Sequence, residues 1–261
     1  MKTINLIIYL FIASLIFSCT KSDDSNDSNV RTYADVRADF NQTNFSTGIN
    51  DVSLIGVDYS FWLYRVIIPD VDFTNNKRPL IITLHGFSGG DPEAHKNTGC
   101  YAEPGFSALD AIIISPNNRG LQWFDPYNQA QVNTLVDLAS DYLPVDTSKI
   151  VISGYSDGGN GAWWYSEKQP TVYSAGIPMA SAYGSYNPDG SARVVATPTF
   201  VIHGENDELF PLQNTQDWVE DTTTAGSNST LVVATGLTHT QPCDYASYLQ
   251  DAATWLVNDI W

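Results

Sequence analysis

The sequence predicts one α/β domain whose mostly parallel central sheet carries helices on both faces. Three observations support that expectation. Leu80–Leu84, Ala111–Ile114 and Ile150–Ile152 are short runs apolar on both faces, the pattern of strands covered from both sides. Val132, Leu135, Val136, Ala139, Tyr142 and Leu143 recur at intervals of three and four, which places a helix between two of those strands. Gly154-Tyr155-Ser156-Asp157-Gly158 is a glycine-bounded turn set between Ile150-Val151-Ile152 and Ala162-Trp163-Trp164-Tyr165. A chain of 261 residues that is 43% hydrophobic fills one such core and gives no sign of a second domain.

Taken in order, the first residues read as an address. Lys2 precedes an apolar run from Leu6 to Phe17, too short to span a bilayer comfortably, and Ile16-Phe17-Ser18-Cys19 ends it. Residues 1–19 resemble the signal peptide and lipobox of a bacterial lipoprotein, with Cys19 the lipidated residue; secretion with cleavage nearby is the alternative. Residues 20–31 are polar and acidic, a flexible tether, and residues 32–261 form the folded domain. The Ser-Asp-Asp patch after the cysteine resembles the export signal that places some lipoproteins on the outer face of Gram-negative cells. The expected location is therefore the outer membrane or cell surface, with secretion or the periplasm as the alternative.

From Tyr33 to Asp51 no period stands out, and Leu54 to Ile68 reads as strand material at the antiparallel edge of the sheet. Leu80–Leu84 is a central parallel strand. The glycine-rich His85-Gly86-Phe87-Ser88-Gly89-Gly90 follows it, where a backbone N–H from Phe87 can point into a site. His85 reads as a structural residue of that loop. After the next strand, Pro116–Pro126 leaves a carboxyl end, the edge where open α/β sheets build their sites. Within it Trp123 and Phe124 either line an acyl or sugar pocket or pack the loop onto the body.

The turn at Ser156 reads as a nucleophile elbow. Its glycines permit a sharp crossing of strand and helix, the serine Oγ projects above the sheet, and the Asp157 N–H at the helix start is a second oxyanion donor beside Phe87 N–H. Tyr173–Met179, Thr199–Ile202 and Leu231–Ala234 are further strands, with a helix around Asp217-Trp218-Val219. Only Ser181–Ser191, short and polar, lies where a lid would be inserted, so an open site is expected. His203-Gly204-Glu205-Asn206-Asp207 supplies an acid, with Glu205 and Glu208 as chemical rivals to Asp207. His239 follows the last strand and is the only histidine after that acid. The pattern from Tyr245 to Ile260 is an amphipathic helix covering the sheet. Cys100 and Cys243 either form a disulfide joining two loops near the site or are buried free thiols.

Leu84-His85-Gly86-Phe87, Trp123-Phe124-Asp125, Gly154-Tyr155-Ser156-Asp157-Gly158-Gly159, His203-Gly204-Glu205-Asn206-Asp207 and His239 resemble, in type and order, the α/β hydrolase superfamily. Within it they resemble the phospholipase/carboxylesterase group and the feruloyl and polyhydroxybutyrate-depolymerase-like esterases. The resemblance covers about residues 60 to 261. It implies an α/β-hydrolase fold without a large lid domain, Ser156 as nucleophile, His239 as base and then acid, Asp207 as its orienter, and Phe87 and Asp157 as oxyanion donors. The order Ser156, Asp207, His239 is that of the superfamily. This chain departs from the carboxylesterases in having Asp157 where Gln is common and Thr238 where Gly is common, which weakens any transfer of thioesterase or lysophospholipase specificity.

The expected function is a secreted or surface-anchored serine esterase acting through an acyl-enzyme, with acetyl or feruloyl esters on polysaccharides as substrates. The alternatives are a short-chain carboxylesterase, a small serine peptidase of the same fold, or a glycan-capturing lipoprotein without turnover. A net charge of -17 with only 12 Lys plus Arg argues against nucleic acid as a partner, and membrane contact is expected only through lipid on Cys19. No His or Cys cluster has metal-ligand spacing, and no cofactor is expected.

Overall fold

The computed structural model describes residues 30–74 and 76–261, so the expected signal peptide, Cys19 and nearly all of the acidic tether lie outside the described residues. Eight strands form one sheet: β1 (Gly48–Ile55), β2 (Phe61–Ile68), β3 (Arg78–Leu84), β4 (Ile112–Pro116), β5 (Val145–Tyr155), β6 (Ala175–Met179), β7 (Thr199–Gly204) and β8 (Ser229–Ala234). Their order across the sheet is β1-β2-β4-β3-β5-β6-β7-β8. β2 runs antiparallel to both neighbours, and all pairs from β4 through β8 are parallel.

Double coverage explains the unalternating apolar runs. In β3, Leu80, Ile82 and Leu84 enter one core while Ile81 enters the other. The first core is closed by α1 (Tyr33–Gln42), α3 (Pro126–Tyr142) and α4 (Asp157–Lys168), the second by α2 (Gly99–Gly105) and α6 (Ala246–Trp255). Trp218 of α5 (Leu212–Thr224) packs with Val201 of β7 and with Trp163 of α4, so α5 extends the first layer. The β6 to β7 connection, residues 180–198, carries no helix. It is held down by Tyr183, whose ring stacks on Trp163 and whose hydroxyl donates to Glu167.

Residues 54–68 are not one strand. Gly56 N–H donates to Ser60 O, Asp58 accepts from Ser60 N–H, and Tyr59 takes φ 61°, so the chain reverses and the antiparallel edge consists of the hairpin β1–β2. Two short elements were not marked by the sequence pattern: α1, where no period stands out, and α2, with Pro104 inside it.

Candidate active site

Because β3 through β8 run parallel, the residues that follow β3, β4, β5, β7 and β8 emerge along one edge of the sheet. Ser156 lies between β5 and α4 with φ 57° and ψ -118°, a conformation that costs a non-glycine residue on the order of 1–3 kcal/mol. Its N–H is held by Met179 O at 2.9 Å. The flanking glycines are required by contact rather than by freedom of φ: a Cβ on Gly154 would stand 2.1 Å from Gly158 O, and one on Gly158 would stand 2.0 Å from Leu84 O. Strand and helix therefore cross at backbone contact, and Ser156 is left 9% exposed at the crossing.

His239, after β8, places Nε2 2.8 Å from Ser156 Oγ, and its Nδ1 lies 2.8 Å from Asp207 Oδ2. A carboxylate only accepts, so Nδ1 carries the proton and the Nε2 lone pair receives the Ser156 hydroxyl. Asp207 is fixed in turn, its Oδ1 accepting from the N–H groups of Leu209 at 3.0 Å and Phe210 at 2.7 Å. The Phe210 ring stands edge-on to the imidazole, with centroids 4.9 Å apart. The two rival carboxylates hold the histidine loop: Glu208 Oε2 accepts His239 N–H at 3.0 Å, and Glu205 Oε2 accepts Gly236 N–H at 2.8 Å. Tyr155 donates its hydroxyl to the carbonyl of His239 itself. Nothing in the sequence pattern marked Tyr155 for this role beyond its place before Ser156.

On the other side of Ser156, a Cβ on Gly86 would lie 3.3 Å from Ser156 Cβ, so the peptide between Gly86 and Phe87 borders the nucleophile. The Phe87 side chain itself is 74% exposed. As the first residue of α4, Asp157 has an N–H with no acceptor inside the helix. Its carboxyl, removed from water and lying near the charge of Asp125, is pushed up to about 6. His85 shapes this loop as expected. Burial lowers it to about 4, so the ring is neutral, donating from Nδ1 to Gly86 O at 2.6 Å and accepting Asn118 N–H at Nε2 at 3.2 Å.

Trp123 is not a pocket residue. It is 0% exposed, and its indole N–H donates to His85 O at 3.0 Å, because the loop after β4 folds back and buries it behind the glycine-rich loop. Phe124 is 40% exposed, and its carbonyl accepts from Gln129. It is not among the residues that line the cleft beside Gly86, the neighbour of Ser156.

That cleft has a volume of about 180 Å³ and is lined by His85, Gly86, Phe87, Asn97, Tyr101, Tyr155 and Pro242. A disulfide joins Cys100 to Cys243, closing a loop of sequence separation 143. Both cysteines are exposed, which corrects the alternative of buried thiols. Among the described residues no group of His, Cys, Asp or Glu stands together as a metal site.

A polarisable hydroxyl, an oriented imidazole and a buried carboxylate in this arrangement can activate an oxygen nucleophile. The family model of the dienelactone hydrolases matches residues 70–259. A thermostable esterase superposes with a TM-score of 0.66 at 19% identity, over 80% of this chain and 62% of that one. FphF, a fluorophosphonate-binding serine hydrolase of Staphylococcus aureus, does so with a TM-score of 0.66 at 15% identity, over 82% of this chain and 100% of its own. For esterase 2 of Thermogutta terrifontis the TM-score is 0.62 at 18% identity, over 80% and 94%. A search of curated proteins found no significant sequence match. At these identities the solved structures establish the α/β-hydrolase fold, and the match to the family model establishes descent. The chain belongs to the dienelactone hydrolase family and, through it, to the hydrolases of the α/β hydrolase superfamily.

Proposed function

We propose that the protein is a serine esterase that cleaves carboxylic esters through an acyl-enzyme. The observation that carries this reading is the hydrogen-bonded series Ser156 Oγ, His239 Nε2, His239 Nδ1 and Asp207 Oδ2, with 2.8 Å at both links. His239 takes the Ser156 proton as Oγ attacks the ester carbonyl, and Asp207 stabilises the imidazolium that forms. The negative charge that develops on the carbonyl oxygen meets the N–H groups of Phe87 and Asp157. His239 then gives its proton to the departing alcohol, and water, activated by the same imidazole, clears the acyl group from Ser156.

The substrates of this reading are acetyl or feruloyl esters on polysaccharides, met outside the cell by a protein anchored through lipid on Cys19. Support comes from the lipobox-like Ile16-Phe17-Ser18-Cys19 and from the β6 to β7 connection, which carries no helix where a lid would be inserted.

Initial rates on p-nitrophenyl acetate, with Ser156→Ala as control, test the chemistry. The variant is expected to lose at least about 10⁴-fold in kcat, the scale of losing a triad nucleophile. Equal turnover by both proteins sinks the proposal.

A further inference from the structure

The cleft beside Ser156 is bounded by two segments far apart in sequence. Tyr101 stands on α2, and Pro242 opens the short helical turn that follows His239. Each is the immediate neighbour of a bonded cysteine: Cys100 precedes Tyr101 and Cys243 follows Pro242. The disulfide thus joins the two walls at the cleft. The far end of α2 is secured separately, since Gly105 packs directly against Leu249 and Gln250 donates to Pro104 O at 3.2 Å. The near end is seated too, with Thr98 Oγ1 donating to Ser115 Oγ at 3.0 Å and Tyr101 buried, so breaking the bond would remove the covalent tie between the two walls and leave each on its own packing.

We propose that this cleft receives the acyl group of the ester and that the Cys100–Cys243 disulfide sets its width, and so the longest acyl chain accepted. The proposal rests on the serine esterase reading. Size and lining define the group. An apolar cavity of about 150 Å³ holds one benzene ring, so a cleft of about 180 Å³ framed by Phe87, Tyr101, Tyr155 and Pro242 holds an apolar group of about six heavy atoms. Acetyl fits with room to spare and hexanoyl fills the space; of the two acyl groups named under the esterase reading the cleft therefore selects acetyl, since a whole feruloyl group exceeds it. The acyl side is indicated because a polymer-borne alcohol must run out to solvent, which a space of this size cannot accommodate. The cleft also begins at Gly86, against Ser156, where the acyl carbon becomes bonded. Both cysteines face solvent, so the bond is open to reductants that reach the protein.

The test is kcat/KM on p-nitrophenyl esters from acetate to decanoate, and on alkyl acetates from methyl to hexyl, for three forms of the protein. The parent is expected to decline sharply beyond hexanoate and to vary little with the alcohol. In Cys100→Ser/Cys243→Ser the octanoate to acetate ratio should rise at least fivefold. In Asn97→Trp, which keeps the disulfide and narrows the cleft at an exposed position, the hexanoate to acetate ratio should fall at least tenfold. Superimposable acyl profiles in the three forms, or a cut-off that follows the alcohol rather than the acyl chain, overturn the proposal and leave the esterase reading standing. Absence of Ser156-dependent turnover on every ester overturns both.

Discussion

Asp157 is the residue whose charge sits least comfortably. Its carboxyl is half-buried between Asn118, whose Nδ2 lies 3.4 Å away, and the charge of Asp125, and it titrates near about 6 against an ordinary value of 3.8. A raised carboxyl pKa means that the native state binds more protons than the unfolded chain between those two values. Stability is therefore lost as pH rises from about 4 to about 6 and stays at the lower level above. Asp157→Asn removes the titration. Thermal melts at pH 4, 6 and 8 should show a variant that matches the parent at the lowest pH and melts up to about 3 °C higher at the other two. An advantage of the same size at all three would mean that packing, not charge, is responsible. The other carboxylates at the site show the opposite logic. Asp207 gathers two backbone N–H groups and the imidazole, and Glu208 takes the N–H of His239, so these charges are spent on aligning a histidine. Sequence could nominate Asp207, Glu205 and Glu208 by their place after one strand. It could not say which oxygen would meet which donor, because that depends on how the turn at Leu209-Phe210 closes.

At the scale of elements, the crossing of β5 and α4 is the tightest joint in the fold. A methyl group on Gly158 would stand 2.0 Å from the carbonyl oxygen of Leu84 and 2.7 Å from that of His85, and neither can yield without moving β3. Gly158→Ala is expected to destabilise by about 3 kcal/mol, seen as a melting temperature lower by about 6–12 °C, and to displace Ser156 from His239. A melt within 2 °C of the parent would show that the crossing can open. This joint was readable because it needs particular residue types at fixed spacing, and β3, β4 and β5 were readable because coverage on both faces demands continuous apolar runs. Elements with one exposed face were not. β1 places Asn50, Asp51 and Ser53 among its apolar residues, as an edge strand does, and α2 has seven residues with a glycine at each end and Pro104 within. The start of α1 did carry a signature, the Thr32 and Asp35 capping box, in a segment that otherwise lacks an apolar stripe. Trp123 illustrates a different barrier. An aromatic residue on a loop at the functional edge has two plausible directions, and only the fold of the loop shows that its N–H turns inward to His85.

For the whole molecule, the disulfide is the one covalent constraint that links distant parts of the described chain. It joins α2 to the turn before α6 across a sequence separation of 143, and the closed loop contains β4 through β8 together with α3, α4 and α5. The connections between those elements carry Ser156, Asp207 and His239. The native state also holds α2 against α6 by packing, so apart from its local effect on the cleft the bond contributes to stability through the unfolded ensemble, which it prevents from expanding. On the chain-entropy scale a loop of this length contributes about 5 kcal/mol, an upper figure where the unfolded chain is already compact. Cys100→Ser/Cys243→Ser should therefore melt about 10–20 °C lower at neutral pH. A second signature separates this mechanism from simple loss of packing. If the bond constrains the unfolded state, its removal exposes more surface on unfolding, and the denaturant m-value must rise as stability falls. A lower midpoint with an unchanged or smaller m-value would place the effect in the folded state, through a loosened α2.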